Sequence, residues 1–139
     1  MTTFPIEHWQ ERAVEVSQRY NPDTGRSRMA NNAFADLAPE FAELVQVVAR
    51  GRCYADDTLD ARTRALLTVA CLVGMGEPRY AQTWISNALN VGATRDEIVE
   101  LILQLFTYVG TPNTVAAFEA AKVVFDEREA LSTDQDGQP

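Results

Sequence analysis

Across residues 60–73 the chain turns apolar on almost every helical side once Arg64 is passed, and Gly74 and Gly76 close the run. A helix without a polar face has to be surrounded by other elements. The flanking sequence reads as more helices. Pro5 suits a first helical position, with Thr3 or Phe4 just before it. Ile6, Trp9, Ala13, Val16 and Tyr20 then follow at helical spacing. The cluster 21–25 (Asn-Pro-Asp-Thr-Gly) is a turn, and 26–37 is ambiguous, with a short helix near 31–37. Pro39 opens the next helix, in which Phe41, Leu44, Val45 and Val48 form the expected inner stripe. Asp56, Asp57 and Thr58 make a polar break with helix-cap chemistry.

Pro78 starts a further helix to about Val91, with Ala81, Ile85, Ala88 and Leu89 inward and Gly92 just past its end. Thr94-Arg95-Asp96-Glu97 is a capping box, in which hydroxyl and carboxylate each satisfy an end N–H. Ile98, Leu101, Ile102, Leu105 and Val109 form that helix's inner stripe, while Leu103 and Phe106 fall on another face. Gly110-Thr111-Pro112 is a stop and restart, with Thr111 capping. The last helix carries Val115, Phe118, Ala121 and Phe125. No alternation marks a strand and no repeat is visible. The expectation is a single all-α domain of six or seven helices over 1–131, with a disordered polar tail at 132–139. A helix apolar on two faces predicts burial between subunits, hence a homo-oligomer.

At 139 residues the chain is long enough for one domain with a real core. Twelve basic against twenty acidic residues give a net charge of −8. That balance argues against nucleic acid and against anionic lipid, both of which need a basic surface. No run is long and apolar enough to span a membrane. The first residues lack the basic and apolar regions of a secretory signal, so the expected location is cytoplasmic. Cys53 and Cys71 stand 18 apart with no C-x-x-C, and His8 is the only histidine. Neither a dithiol centre nor a metal site is expected, and no cofactor is called for.

Three tracts carry a resemblance. They are Leu59-Asp60-Ala61-Arg62-Thr63-Arg64-Ala65-Leu66-Leu67-Thr68-Val69-Ala70, then Ala88-Leu89-Asn90-Val91-Gly92-Ala93-Thr94-Arg95-Asp96-Glu97-Ile98, then the stretch from Tyr108-Val109-Gly110-Thr111-Pro112 to Phe118. In order and spacing they resemble the carboxymuconolactone decarboxylase-like family, which includes the alkylhydroperoxidase-D-like proteins. The likeness extends over roughly residues 6–127, with Tyr20-Asn21-Pro22 and Gly51-Arg52-Cys53-Tyr54 in the first half. It implies an all-helical fold, assembly as a trimer or hexamer, and a pocket near the start of the 78–91 helix. It implies reactions ranging from decarboxylation of a carboxylated lactone to peroxide reduction by a cysteine pair. The peroxidase-like Glu, Cys, Cys and His would fall on Ala65, Glu77, Tyr80 and Trp84. The decarboxylase-like Glu, His and Arg would fall on Tyr80, Trp84 and Ser86. This chain departs from both patterns, which speaks against a thiol peroxidase.

What stands at those positions sets the alternatives. Decarboxylation needs an electron sink and an acid to protonate carbon, which a histidine supplies near neutral pH and an indole does not. Tyr80 and Trp84 lie four apart on one helix face, with Glu77 and Asn87 flanking. They form either a subunit contact or an aromatic pocket wall. Tyr80 is the first catalytic candidate. His8 is a packed surface histidine or an acid/base reaching the pocket. Glu77 is a helix-start charge or a carboxylate base. Arg62 and Arg64 make ion pairs, or one of them holds a substrate oxygen. Tyr54 and Tyr108 are candidates to close a pocket through their hydroxyls. Cys71, a small near-apolar side chain, is a candidate lining residue. The expected function is a cofactor-independent lyase, cyclase or isomerase acting on a lactone or polyketide-like cyclic molecule. Its rivals are a non-catalytic ligand-binding or complex-stabilising homologue, and a decarboxylase of the 4-carboxymuconolactone type with His8 as relocated acid.

Overall fold

Helices form every regular element among the described residues, 6–22 and 33–136, of the computed structural model. The expected start at Thr3–Pro5, most of the 21–25 turn, the front of the 31–37 helix and the last three tail residues lie outside that range. The all-α fold expected from the sequence is the one observed. The chain divides into two compact units, Met1–Arg64 and Ala65–Pro139.

In the first unit α1 (Ile6–Tyr20) is followed by the short α2 (Ala33–Leu37) and α3 (Pro39–Leu44), with Pro39 at the first helical position. The helix then continues as a π-helix, Val45–Cys53. Ala13, Val16 and Tyr20 of α1 are buried, as are Val47 and Gly51 of the π-helix. This corrects the expected stripe: Phe41, Leu44 and Val48 are exposed. The face that meets α1 is the one carrying Val47 and Gly51, the latter directly against the Trp9 backbone, and Phe41 and Leu44 of α3 lie off it.

The loop after the π-helix is held by Arg64. Its guanidinium donates to the carbonyls of Cys53 (2.9 Å), Asp56 (2.7 Å) and Leu59 (2.9 Å). Tyr20, 1 % exposed, donates from its hydroxyl to the Ala61 carbonyl at 3.2 Å. Burial is the main reason its pKa lies above the usual tyrosine value. Helix α4 (Ala61–Met75) is capped by Asp60, which accepts from the Thr63 N–H (2.9 Å) and hydroxyl (2.7 Å). The cap expected at 56–58 therefore sits at Asp60.

The second unit takes most of α4, α5 (Pro78–Asn90) and the long α6 (Arg95–Asp136). α4 buries Ala65, Val69 and Val73. It is not covered all round: Leu67 and Met75 are exposed. α4 and α5 both end in a glycine with positive φ, Gly76 (71°) and Gly92 (98°). In each case the paired 6→1 and 5→2 bonds close the end: Glu77 N–H to Leu72 and Gly76 N–H to Val73, then Ala93 N–H to Ala88 and Gly92 N–H to Leu89. α6 opens on the capping box, with Thr94 N–H on Glu97 Oε2 (2.9 Å) and Glu97 N–H on Thr94 Oγ1 (3.2 Å). Gly110 (φ 77°, ψ 172°) interrupts α6 ahead of Pro112, and Thr114 Oγ1 donates back to its carbonyl at 2.8 Å. The helix runs on past Leu131 to Asp136. No helix among the described residues is long and apolar enough to cross a membrane.

Candidate functional site

α5 carries three of the nominated side chains. Pro78 at its first position pre-sets the entry, and the Glu77 carbonyl accepts from Ala81 N–H at 2.9 Å. Ala81, Ile85 and Ala88 are fully buried and fix the helix against its unit. Glu77 is the N-cap residue, exposed, with no side-chain cap bond. A carboxylate there is favoured by the helix dipole. Tyr80 is 51 % exposed and Trp84 half-buried, four residues apart and hence on one side of α5. Thr83 and Asn87 flank that side and are buried polar groups.

The corner below Glu77 is nearly solid. Val73, Gly76, Ala81, Asn113 and Ala117 line a crevice of about 10 Å³, which does not admit a cyclic organic molecule. Asn113 closes it from α6: a Cβ on Gly76 would meet its Oδ1 at 3.2 Å.

Cys71 is exposed on α4, its thiol 3.8 Å from the Met75 sulfur. Tyr108 is 83 % exposed on α6. His8 on α1, Tyr54 after the π-helix and Arg62 in the first turn of α4 belong to the first unit, and all three are half-buried and engaged. Tyr54 meets Tyr20 edge-on at 5.6 Å between centroids. Among the nominated residues, Glu77, Tyr80 and Trp84 are thus brought together on one helix. Among the described residues no group of three His, Cys, Asp or Glu side chains has the arrangement to hold a metal ion.

Two features went unnoticed in the sequence. One is an open groove of about 600 Å³ in the first unit, where Gln10, Ala13 and Val14 of α1 face Ala42, Gln46 and Val47. None of the nominated residues lines it. Its signal, Ala13 and Ser17 on α1 and Ala42 after Phe41, is indistinguishable from ordinary helix packing. The other is Arg128, whose Nη2 donates to the Ser86 carbonyl (2.9 Å), the Ser86 hydroxyl (3.2 Å) and Asn90 Oδ1. A guanidinium thus stands at Ser86, delivered from α6. Forty-two residues separate the pair, and nothing local signals it.

Similarity to known proteins agrees with this architecture. A sequence profile of the carboxymuconolactone decarboxylase family matches residues 39–123. The chain is 32 % identical over 92 residues to the 4-carboxymuconolactone decarboxylase of Acinetobacter baylyi, covering 66 % of this chain and 69 % of that protein. It is 31 % identical over 118 residues to the "Uncharacterized 15.0 kDa protein in nqo9-nqo10 intergenic region" of Paracoccus denitrificans, covering 83 % and 86 %.

Proposed function

Because the chain belongs to the carboxymuconolactone decarboxylase family, we propose that it is a cofactor-independent enzyme. Its reaction is a lyase, cyclase or isomerase step on a lactone or polyketide-like cyclic molecule. The observation that carries this is the pair Tyr80 and Trp84 side by side on α5, flanked by the buried polar groups Thr83 and Asn87. A flat apolar wall with a few convergent hydrogen-bonding groups suits a ring-shaped ligand of low charge. Tyr80 serves as hydrogen-bond donor or acid to a developing enolate oxygen, Trp84 as the stacking surface, and Glu77 as the carboxylate base at the helix start. Tyr108 and Cys71, of the same unit, are assigned to the reaction as outer contacts. The working form is a homo-oligomer, a trimer or hexamer, a reading supported by the exposed Leu67, Met75, Leu103 and Phe106.

A second reading draws on the Acinetobacter relative: decarboxylation of 4-carboxymuconolactone itself. There the C–C bond to the carboxylate breaks, CO₂ leaves, the electron pair passes into the lactone as an enolate, and an acid protonates carbon. His8 is the group that would deliver the proton. The test is incubation of purified protein with 4-carboxymuconolactone and with a panel of uncharged cyclic lactones and polyketide-like rings, products read by mass spectrometry. Conversion of an uncharged ring, lost in Trp84→Ala, supports the first reading. Release of CO₂ from the carboxylated lactone, lost in His8→Ala, supports the second. Ligand-dependent thermal stabilisation with no product would overturn both.

A further inference from the structure

Arg128 is a half-buried cation bound to neutral groups. Its Nη2 donates to the Ser86 carbonyl at 2.9 Å, to the Ser86 hydroxyl at 3.2 Å and to Asn90 Oδ1. Among the described residues no carboxylate stands within ion-pair distance of it. The acids beside it on α6 are committed elsewhere: Glu129 pairs with Arg95, and Asp126 with Lys122 at 2.6 Å. Burial draws the Arg128 pKa below the ordinary arginine value, and no neighbouring charge opposes that shift. A partly desolvated guanidinium is ordinarily compensated by an anion. The carbonyl end of α5 compensates only in part, with roughly half a charge.

We infer that Arg128, Ser86 and Asn90 form a binding point for a small organic carboxylate. A guanidinium has five donors in a rigid fork. Nη2 is spent on α5, which fixes the plane and leaves Nε, on the edge it shares with Nη2, to give a charge-assisted bond to one carboxylate oxygen. The Ser86 hydroxyl accepts from Arg128, so its own proton is available for the second oxygen. One positive charge with neutral helpers matches a singly charged carboxylate and not a phosphate dianion. The site is distinct from the aromatic face: Ser86 lies two residues beyond Trp84, about 200° round the helix. It therefore stands or falls independently of the proposed ring pocket.

The test uses the full chain, isotope-labelled, titrated with acetate and with benzoate at constant ionic strength against chloride. The readout is the Arg128 Nε–Hε resonance, assigned with Arg128→Lys. The expected result is a saturable shift with a midpoint in the range of about 1–10 mM, absent with chloride. Ser86→Ala, a small change on a half-buried position, is expected to weaken binding about tenfold while the spectrum stays folded. A shift reproduced by chloride, or no saturable shift, would overturn the site. The carboxylate of a second copy is the other source. Sedimentation in which Arg128→Lys dissociates an oligomer, with no acetate response in the parent, would also overturn a small-molecule site.

Discussion

Gly51 of the π-helix lies directly against the backbone of Trp9 on α1. A Cβ at position 51 would stand 2.7 Å from the Trp9 carbonyl carbon and closer still to its oxygen. The obstacle is main chain, so no side chain can swing aside. Gly51→Ala is expected to destabilise the protein by about 1–3 kcal/mol, because the two helices must separate. A urea midpoint lowered at unchanged slope would register it. A variant as stable as the parent would mean that α1 and the π-helix part without cost.

The start of α6 offers a gentler perturbation. Thr94 and Glu97 satisfy each other's N–H groups, and Thr94→Ala removes the hydroxyl half of that exchange. The expected loss is about 1 kcal/mol, read by thermal or chemical denaturation. Thr94→Ser should recover most of it, since the oxygen is kept. Failure of that recovery would place the effect outside the cap.

Asp60 supplies a pH signature. The Thr63 hydroxyl, and after it the Thr63 N–H, hold the Asp60 carboxyl below its usual range. A carboxyl lowered in the folded state stabilises above its unfolded value, near pH 4, and that contribution fades as pH falls through the folded value. Thr63→Val keeps the side-chain shape and the N–H bond but removes the hydroxyl. The variant should therefore be less stable at neutral pH, with the gap to the parent narrowing below about pH 4. Parallel stability curves down to acid would contradict this.

On α5, Tyr80→Phe removes a single hydroxyl from a side chain that is half in solvent, so folding should be unaffected. If Tyr80 donates to the reacting oxygen, turnover should fall about a hundredfold with little change in KM. Trp84→Ala should instead raise KM at least tenfold through loss of the stacking wall. Steady-state kinetics on the substrate found in the screen separates the two. Equal, small effects on both constants would point to a contact face between subunits.

The contrast between what could and could not be read from the sequence has a physical basis. Pro39, Pro78, Gly76, Gly92 and the Thr94–Glu97 box mark helix ends through local chemistry, and each is found in that role. Gly110 and Pro112 likewise announced the break in α6. Local pattern failed where geometry is set at a distance. The stripe through Phe41, Leu44 and Val48 is exposed, because the face that meets α1 is set by Gly51 lying against Trp9, far off in the sequence. Arg128 reaches Ser86 from 42 residues away. Of the candidate site, the spacing of Tyr80 and Trp84 placed them on one face, whereas the solid corner under Glu77 depends on Asn113 and is invisible in any window of sequence.

The π-helix also has a meaning for how such a chain tolerates change in length. Val45–Cys53 takes up residues that an ordinary helix would have to carry into its neighbours as a rotation. An added residue beyond Gly51 leaves that glycine beneath Trp9, whereas one added before it would not. Conversely, removing one residue there would tighten the coil and carry Gly51 out from beneath Trp9, setting a bulkier side chain against that carbonyl. A change of length in this wide turn is therefore tolerable only on the side of Gly51 away from α3, where the contact with Trp9 keeps its place.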